Sequence, residues 1–305
     1  MASVEDKLRR IAVTAVAPVA WGSTYVVTRQ LLPADAPLWG AALRALPAGL
    51  VLLLLARSLP RGAWWWRSAV LGVLNVGAFF VLVYVAAQRL PSSVASVVMA
   101  LAPLVLLGTA WAVDAARPTL REVLLACVGA AGVVGIVRGA VGGVDGPGLL
   151  ASAAALALSS LGFVLARRWS RRDTVPVVAS TAWQLVAGGG ALLVVAAVAE
   201  GAPPTVDVRE GAGFAYVALV ATALAFWCWF AGLARLDVAT VGLVGLLNPV
   251  AGVLLGTAVA GERLAPVQVA GVLVVLGAVG FAAVGRERRP TPLGQTGSSP
   301  AAVGS

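Results

Sequence analysis

Residues 232–257 read "GLARLDVATVGLVGLLNPVAGVLLGT", and residues 86–109 read "AAQRLPSSVASVVMALAPLVLLGT". Both stretches are almost wholly apolar over most of their length, and each carries a proline (Pro249 and Pro103) in its apolar part. A proline inside a helix removes a backbone donor and clashes with the preceding turn, at a cost of roughly 3 kcal/mol. The two prolines stand 146 residues apart. The pattern therefore predicts one helix that occurs twice and is interrupted at the same place each time.

Composition identifies the class of protein. The chain has 305 residues, of which 60% are hydrophobic and 11% charged, whereas a soluble protein carries about 25% charge. The apolar runs are continuous over about 20 residues, as membrane helices require, and do not alternate as barrel strands do. We predict an all-α membrane protein with ten transmembrane helices. The predicted spans are 11–29, 36–56, 67–87, 92–112, 120–138, 147–166, 176–198, 211–233, 238–258 and 264–284.

Further correspondences extend the duplication along the chain. Arg89 matches Arg235 at an offset of 146 residues, and Arg44 matches Gln184 at an offset of 140. Each copy holds five predicted helices, and because five is odd the second copy enters the membrane from the opposite side. Inverted repeats of this kind are typical of secondary transporters with a central binding site. The predicted units are a first repeat (1–138), a second repeat (139–285) and a polar, disordered cytoplasmic tail (286–305).

The basic residues predict the orientation. With the N-terminus inside, 16 of the 22 Lys and Arg residues fall on inside segments and five on outside segments, with Arg44 left within a span. An excess of basic residues marks the cytoplasmic side, so both termini are expected there, in the plasma (inner) membrane. The net charge of +9 is then a topology signal that faces anionic lipid headgroups, and no nucleic-acid partner is expected.

Four segments resemble the EamA family of the drug/metabolite transporter superfamily. They are "VAWGSTYVVTR" (19–29), "ALRALPAG" (42–49), "ARLDVATVGLVGLLNPVAGVLLG" (234–256) and "GERLAPVQVAG" (261–271). The resemblance covers nearly all ten predicted helices and implies transport of small metabolites through the bacterial inner membrane, often export of amino acids or related compounds. The family usually has a Glu-Pro or similar pair where this chain has Asn248-Pro249, so a mid-helix carboxylate is missing here.

Arg44 is the one charge predicted inside the hydrocarbon, roughly 10 Å from the outer face at 1.5 Å per residue. A buried ionisable group is by default a functional-site hypothesis. Gln184 is expected to face Arg44 across the pseudo-twofold axis, which would suit a carboxylate-bearing or zwitterionic solute. The alternative is that the Arg44 side chain extends outward to Asp35 or Glu262.

Other polar and aromatic residues complete the predicted substrate-binding set: Asn75, Asn248, Tyr25, Trp21 and Trp227. Asn248 has an equally good reading as a hydrogen-bonding contact between helices, a role worth about 1 kcal/mol. Trp21 and Trp227 are predicted cavity walls, with helix packing as the alternative. Pro103 and Pro249 are predicted hinges, with a tolerated kink as the alternative.

Catalytic and cofactor chemistry find no support in the sequence. Histidine is absent, the two cysteines lie in apolar runs, and no Gly-rich loop precedes Lys-Ser or Lys-Thr. We therefore predict no enzyme, metal or cofactor, and a secondary transporter that exports small metabolites, amino acids, related anionic or zwitterionic solutes, or drugs, by alternating access. An uncoupled facilitator, a channel and a membrane enzyme acting on lipid-linked substrates are the alternatives. The expected partners are the solute and membrane lipids, and a homodimer is left open.

Overall fold

The computed structural model describes residues 4–31, 36–89, 98–137, 145–260 and 265–284, and within these ranges every regular element is helical. The helices are α1 (Val4–Leu31), α2 (Pro37–Ala56), α3 (Trp64–Gly72, Val73–Gly77 and Ala78–Arg89), α4 (Ala102–Asp114), α5 (Leu120–Val137), α6 (Gly146–Asp173), α7 (Val177–Ala199), α8 (Val208–Ala218, Leu219–Leu224 and Ala225–Arg235), α9 (Val238–Gly245 and Leu247–Ala260) and α10 (Pro266–Val284). The predicted tail 286–305 lies outside the described residues.

Helix length and composition agree with a membrane protein. Six of the described helices are at least 18 residues long and apolar enough to cross a bilayer, namely α2, α3, α6, α7, α8 and α10. The α4 helix and the beginning of α9 are shorter apolar helices. The predicted all-α, multi-pass class is thus confirmed, whereas the arrangement of ten spans in two inverted repeats stays a prediction.

Two helices contain a π-helical segment that the sequence analysis did not predict. Val73–Gly77 lies in the middle of α3, and Leu219–Leu224 lies in the middle of α8. They begin 146 residues apart, at residues 73 and 219. Short π-helical segments are rare in proteins and occur frequently at functional sites. The pair therefore directs attention to the middle of α3 and α8.

The predicted interruptions at the two prolines are present. The N–H of Leu101 bonds to the carbonyl of Val98 at 3.1 Å, and the N–H of Leu246 bonds to the carbonyl of Leu243 at 3.0 Å. Both are i→i+3 bonds, which tighten the chain just before a new α-helical segment begins. Pro103 and Pro249 then fall in the first turn of that segment, where a missing N–H costs no hydrogen bond. Their hinge role stays a prediction.

The α2 and α7 helices pack closely through glycine at two related points. A Cβ at Gly49 would lie 2.7 Å from the backbone N of Val186, and a Cβ at Gly189 would lie 2.7 Å from the backbone N of Leu46. Both contacts exclude any larger residue, since real Cβ atoms do not approach this closely. Gly49 and Gly189 are 140 residues apart, as are Leu46 and Val186. The two helices therefore run antiparallel and contact each other in a nearly twofold manner.

Cationic side chains join helix ends at one end of the bundle, which we call the basic end. Each donates to a backbone carbonyl in or beside the last turns of a neighbouring helix, where the helix dipole places partial negative charge. The described pairs are Lys7–Ala282 (2.9 Å), Arg121–Phe281 (2.7 Å), Arg167–Leu236 (3.0 Å), Arg168–Val113 (2.5 Å) and Arg171–Ala234 (3.1 Å). The start of α1 and of α5 thus lies with the end of α4, α6, α8 and α10.

The opposite end of the bundle is held by an acidic residue. Glu200, at the end of α7, accepts hydrogen bonds from the backbone N–H groups of Leu38 (2.9 Å) and Trp39 (3.0 Å) in the first turn of α2. The Trp39 indole also donates to the carbonyl of Gly201 at 3.2 Å. A carboxylate suits this place because the first N–H groups of a helix have no partner within the helix.

Candidate functional site

Arg44 extends from α2 to the π-helical segment of α8. Its Nε donates to Thr222 Oγ1 at 3.1 Å, and its Nη2 lies 3.4 Å from the carbonyl oxygen of Ala221. The guanidinium carbon also lies 4.8 Å from the centre of the Phe80 ring of α3, a cation–π distance. Within the described chain, the charge predicted to be functional therefore joins α2, α3 and α8 in the interior of the bundle.

Gln184 extends from α7 to the π-helical segment of α3. Its Oε1 accepts a 2.8 Å hydrogen bond from Asn75 Nδ2, and its Nε2 donates to the carbonyl of Ser180 at 3.3 Å. Asn75 is 1% exposed and Gln184 is completely buried. The second side-chain oxygen of this pair, Asn75 Oδ1, is buried with no hydrogen-bond partner among the described residues.

Asn75 is held in place by α6. A Cβ on Gly162 would lie 2.1 Å from Asn75 Oδ1, so only glycine leaves room for the amide at this point. The next residue of α6, Phe163, lies with its ring centre 5.5 Å from that of Trp229. The buried amide and a buried indole therefore lie against consecutive residues of one helix.

The two polar contacts occupy matching places in the two halves of the chain, although Arg44 donates to its partners and Gln184 accepts from Asn75. Arg44 and Gln184 are 140 residues apart, and their partners Ala221 and Asn75 are 146 apart. The expectation that Gln184 faces Arg44 is wrong, because each side chain instead reaches a π-helical segment of the other half. The α2–α7 contact pairs Leu46 with Gly189, so Arg44 and Gln184 lie on opposite sides of the crossing, about 10 Å apart along the helix axis.

An aromatic cluster lies beside these contacts. The Trp21 ring of α1 is 5.5 Å from Phe226 and 5.3 Å from Trp229, measured between ring centres. Phe163 lies 5.8 Å from Phe230. Trp229 is 4% exposed, and its Nε1 is buried without a partner among the described residues. An indole N–H buried in this way usually has a hydrogen-bond acceptor.

Trp229 could have been found from the sequence. The large buried side chains in the last segment of α8 are Phe226, Trp229, Phe230 and Leu233, which have the i, i+3, i+4, i+7 spacing of one helix face. Trp227 lies off that face, is 43% exposed and lines a groove on the outer surface of the bundle. Of the two tryptophans predicted as cavity walls, Trp21 therefore joins the interior cluster and Trp227 does not.

The remaining predicted residues are less informative. Asn248 is half-buried in the first turn of Leu247–Ala260, and its carbonyl oxygen lies 2.7 Å from where a Cβ on Gly22 would be. Pro103 packs against Gly242, because its Cα lies 3.0 Å from where a Cβ on Gly242 would be. The side chain of Tyr25 lies outside the described part of the structure, as do Asp35 and Glu262, the predicted alternative partners of Arg44.

Among the described residues no group of three or more His, Cys, Asp or Glu is close enough to hold a metal ion. The two cysteines are separate: Cys127 is exposed, and Cys228 is buried and unpaired. The polar groups in the interior are instead a guanidinium with its hydroxyl partner, a pair of amides at the other π-helical segment, and an indole. Such a set can bind and orient a polar solute.

The model of the EamA-like transporter family matches residues 9–138 and again residues 146–284. The chain belongs to this family, within the drug/metabolite transporter superfamily. It is 38% identical to protein PecM of Dickeya dadantii (strain 3937) over 264 residues, which cover 86% of this chain and 88% of that protein. It is 28% identical to the uncharacterized inner membrane transporter YedA of Escherichia coli (strain K12) over 273 residues, 87% of this chain and 86% of that protein.

A solved crystal structure shares the fold. It superposes with a TM-score of 0.77 at 21% identity and covers 90% of this chain and 96% of that chain. Family membership together with the apolar helices makes this EamA protein a multi-pass membrane transporter, for which a small-molecule solute and a lipid environment are expected. The sequence resemblance to the family is thereby confirmed.

Proposed function

We propose that this protein is a secondary transporter that exports small carboxylate-bearing or zwitterionic metabolites by alternating access. The chain would form two inverted five-helix repeats with both termini in the cytoplasm. Alternating access needs two states of similar energy around one site, and two related halves of opposite orientation provide them, because each half can adopt the conformation of the other.

The observation that carries this proposal is the matched pair of contacts between a polar side chain and a π-helical segment. Arg44 bonds to the π-helical segment of α8, and Gln184 bonds to that of α3. The family model also matches the chain twice. The i→i+3 interruptions before Pro103 and Pro249, and the contacts of Gly49 and Gly189, repeat at similar offsets. Three local features of the structure and the double match to the family support a pseudo-twofold arrangement better than any one of them.

The solute would bind near Arg44. A carboxylate can accept two parallel N–H bonds from a guanidinium, and such charge-assisted bonds are roughly twice as strong as neutral ones. A solute carboxylate could thus compete with the hydroxyl of Thr222 and the carbonyl of Ala221 for Arg44. Asn75 Oδ1, which has no hydrogen-bond partner in the described part of the chain, would accept from a solute ammonium group, and the Trp229 indole would donate to a solute oxygen.

Counterflow in proteoliposomes tests the proposal. The purified protein would be reconstituted with one unlabelled solute inside, and uptake of a labelled trace of the same solute would be followed for a panel of amino acids, organic acids and neutral drugs. We expect transient accumulation for solutes that carry a carboxylate, with little for neutral analogues of equal size. Equal flux of neutral and carboxylate-bearing solutes would contradict the assigned substrate class.

The same assay separates alternating access from a channel or an uncoupled pore. Counterflow requires that the loaded site reorients, so an open pore would give equilibration without transient accumulation. Simple equilibration at a rate that rises linearly with solute concentration would therefore contradict alternating access and support the channel reading.

A further inference from the structure

A groove on the outer surface of the bundle is not explained by solute transport. It lies between α1, the start of α7 and the end of α8, at the basic end, and its volume is about 620 Å³. Arg9, Arg10 and Arg235 line its polar part, and Val13, Trp227 and Ala231 line its apolar part. The groove thus combines cationic groups with an apolar wall.

One face of the α1 helix lines the groove, and another face packs against the bundle. Asp6, Arg9, Arg10 and Val13 line the groove, at the i, i+3, i+4, i+7 spacing of a single helix face. Lys7 belongs to another face, is buried and donates to the carbonyl of Ala282. The arginines of this face are therefore available at the surface, whereas the neighbouring lysine holds α1 to α10.

The charge in the groove is unbalanced. Three arginines line it with one carboxylate, Asp6, whose oxygen lies 3.4 Å from Arg10. Arg9 and Arg235 are both exposed, and no ion pair of either is present in the described part of the chain. Two positive charges beyond the one that Asp6 balances favour an anionic occupant.

The apolar part of the groove favours an occupant with hydrocarbon chains. Trp227 and Ala231 lie eight and four residues before Arg235 on α8, which places them about 12 and 6 Å further along the helix axis. Val13 and Trp227 are 39% and 43% exposed. In a membrane this apolar wall faces the acyl-chain region, while the arginines lie at headgroup depth. A soluble metabolite would leave the wall uncovered.

We propose that this groove binds an anionic glycerophospholipid of the bilayer. The headgroup phosphate would accept hydrogen bonds from Arg9 and Arg235, with Arg10 beside them, and the acyl chains would lie along Val13, Trp227 and Ala231. Basic pockets between membrane helices bind anionic headgroups by the same combination of charge and apolar contact. None of these residues belongs to the proposed solute site, so the two proposals stand or fall separately.

Lipid titration of the full chain tests this. The protein, purified in a neutral detergent, is titrated with phosphatidylglycerol or with phosphatidylcholine of the same acyl chains, and bound lipid is counted by native mass spectrometry. Each arginine near an anionic headgroup contributes roughly fivefold to binding, so R9Q/R235Q should weaken phosphatidylglycerol binding by about 25-fold. Binding of phosphatidylcholine should be weaker than that of phosphatidylglycerol and should change little in the variant.

The matched control is R61Q/R117Q, which removes the same charge from two exposed arginines in the loops that precede α3 and α5. This control should retain the affinity of the unchanged protein. Equal losses in the two double variants, or equal affinity for the two lipids, would overturn the proposal in favour of general surface attraction. Displacement of the lipid by millimolar glycerol phosphate would overturn it in favour of a site for small soluble anions.

Discussion

The α2–α8 contact and the α7–α3 contact occupy equivalent places in the two halves and differ in chemistry. The first is made by Arg44, a partly exposed cation, and the second by Gln184, a completely buried neutral amide. A guanidinium can exchange a hydroxyl for a solute carboxylate, whereas a buried amide that loses its partner keeps the cost of desolvation. The comparison teaches that the Arg44 contact is suited to exchange with a solute, whereas the bond between Asn75 Nδ2 and Gln184 is suited to holding helices together.

The largest expected effect on transport comes from removing the charge of Arg44. Substitution R44Q should lower counterflow of a carboxylate-bearing solute about 30-fold or more, because a charge-assisted hydrogen bond is worth about 2 kcal/mol. Initial rates measured over a range of solute concentrations would check this. The exposed Arg209 provides the control R209Q, which should transport normally. Unchanged flux in R44Q would remove Arg44 from the solute site.

Substitution G162A tests the contact between Asn75 and Gln184 by disturbing the packing around Asn75. The added Cβ would lie 2.1 Å from Asn75 Oδ1, so the amide must move or α6 must shift, at a cost of about 3 kcal/mol. We expect a clear fall in the thermal unfolding temperature in detergent. A Cβ on Gly190 of α7 would have no neighbour within 4 Å, so G190A is the matched control and should be neutral or slightly stabilising. Equal stability of the two variants would contradict the close contact of Gly162 with Asn75.

Substitution Q184M keeps the volume of the side chain and removes its amide. Asn75 Nδ2 would then lose its acceptor in a buried place, which costs about 2 kcal/mol. Adding N75L should recover most of that loss, since no polar group would then remain unpaired. A double-mutant cycle on thermal stability measures the coupling. Additive losses in the double variant would show that the two amides act independently.

The smallest expected effects concern the two ends of the α2–α7 pair. The Trp39 indole donates to Gly201 at one end, and the Trp183 indole donates to Ser58 at 2.8 Å at the other. Substitutions W39F and W183F each remove one hydrogen bond and should each cost about 1 kcal/mol in stability. Measuring both transport and thermal stability in W39F and in W183F would compare the two ends of the α2–α7 pair. A loss above 3 kcal/mol in one variant alone would show that the two ends are not equivalent.

Local residue chemistry was enough to predict several features. The interruptions before Pro103 and Pro249 are real, because the first turn of a helical segment is the place where a proline costs no hydrogen bond. Arg44 was found because a single charge in an apolar run is visible without any structure. The π-helical segments and the partner of Gln184 were not predicted, since no residue pattern in Val73–Gly77 or Leu219–Leu224 is specific to a π-helical turn, and Asn75 was expected to contact the solute.

The sequence by itself determined that this chain is helical and membrane-embedded, because the length of the apolar runs is a property of the chain alone. The residue correspondences between its halves predict a duplication in the same way. Only the tertiary structure decided which partners Arg44 and Gln184 find. The α2 and α7 helices cross at Gly49 and Gly189, and both polar side chains lie away from that crossing. Each therefore meets whichever third helix packs there, and that helix is chosen by the packing of the whole bundle.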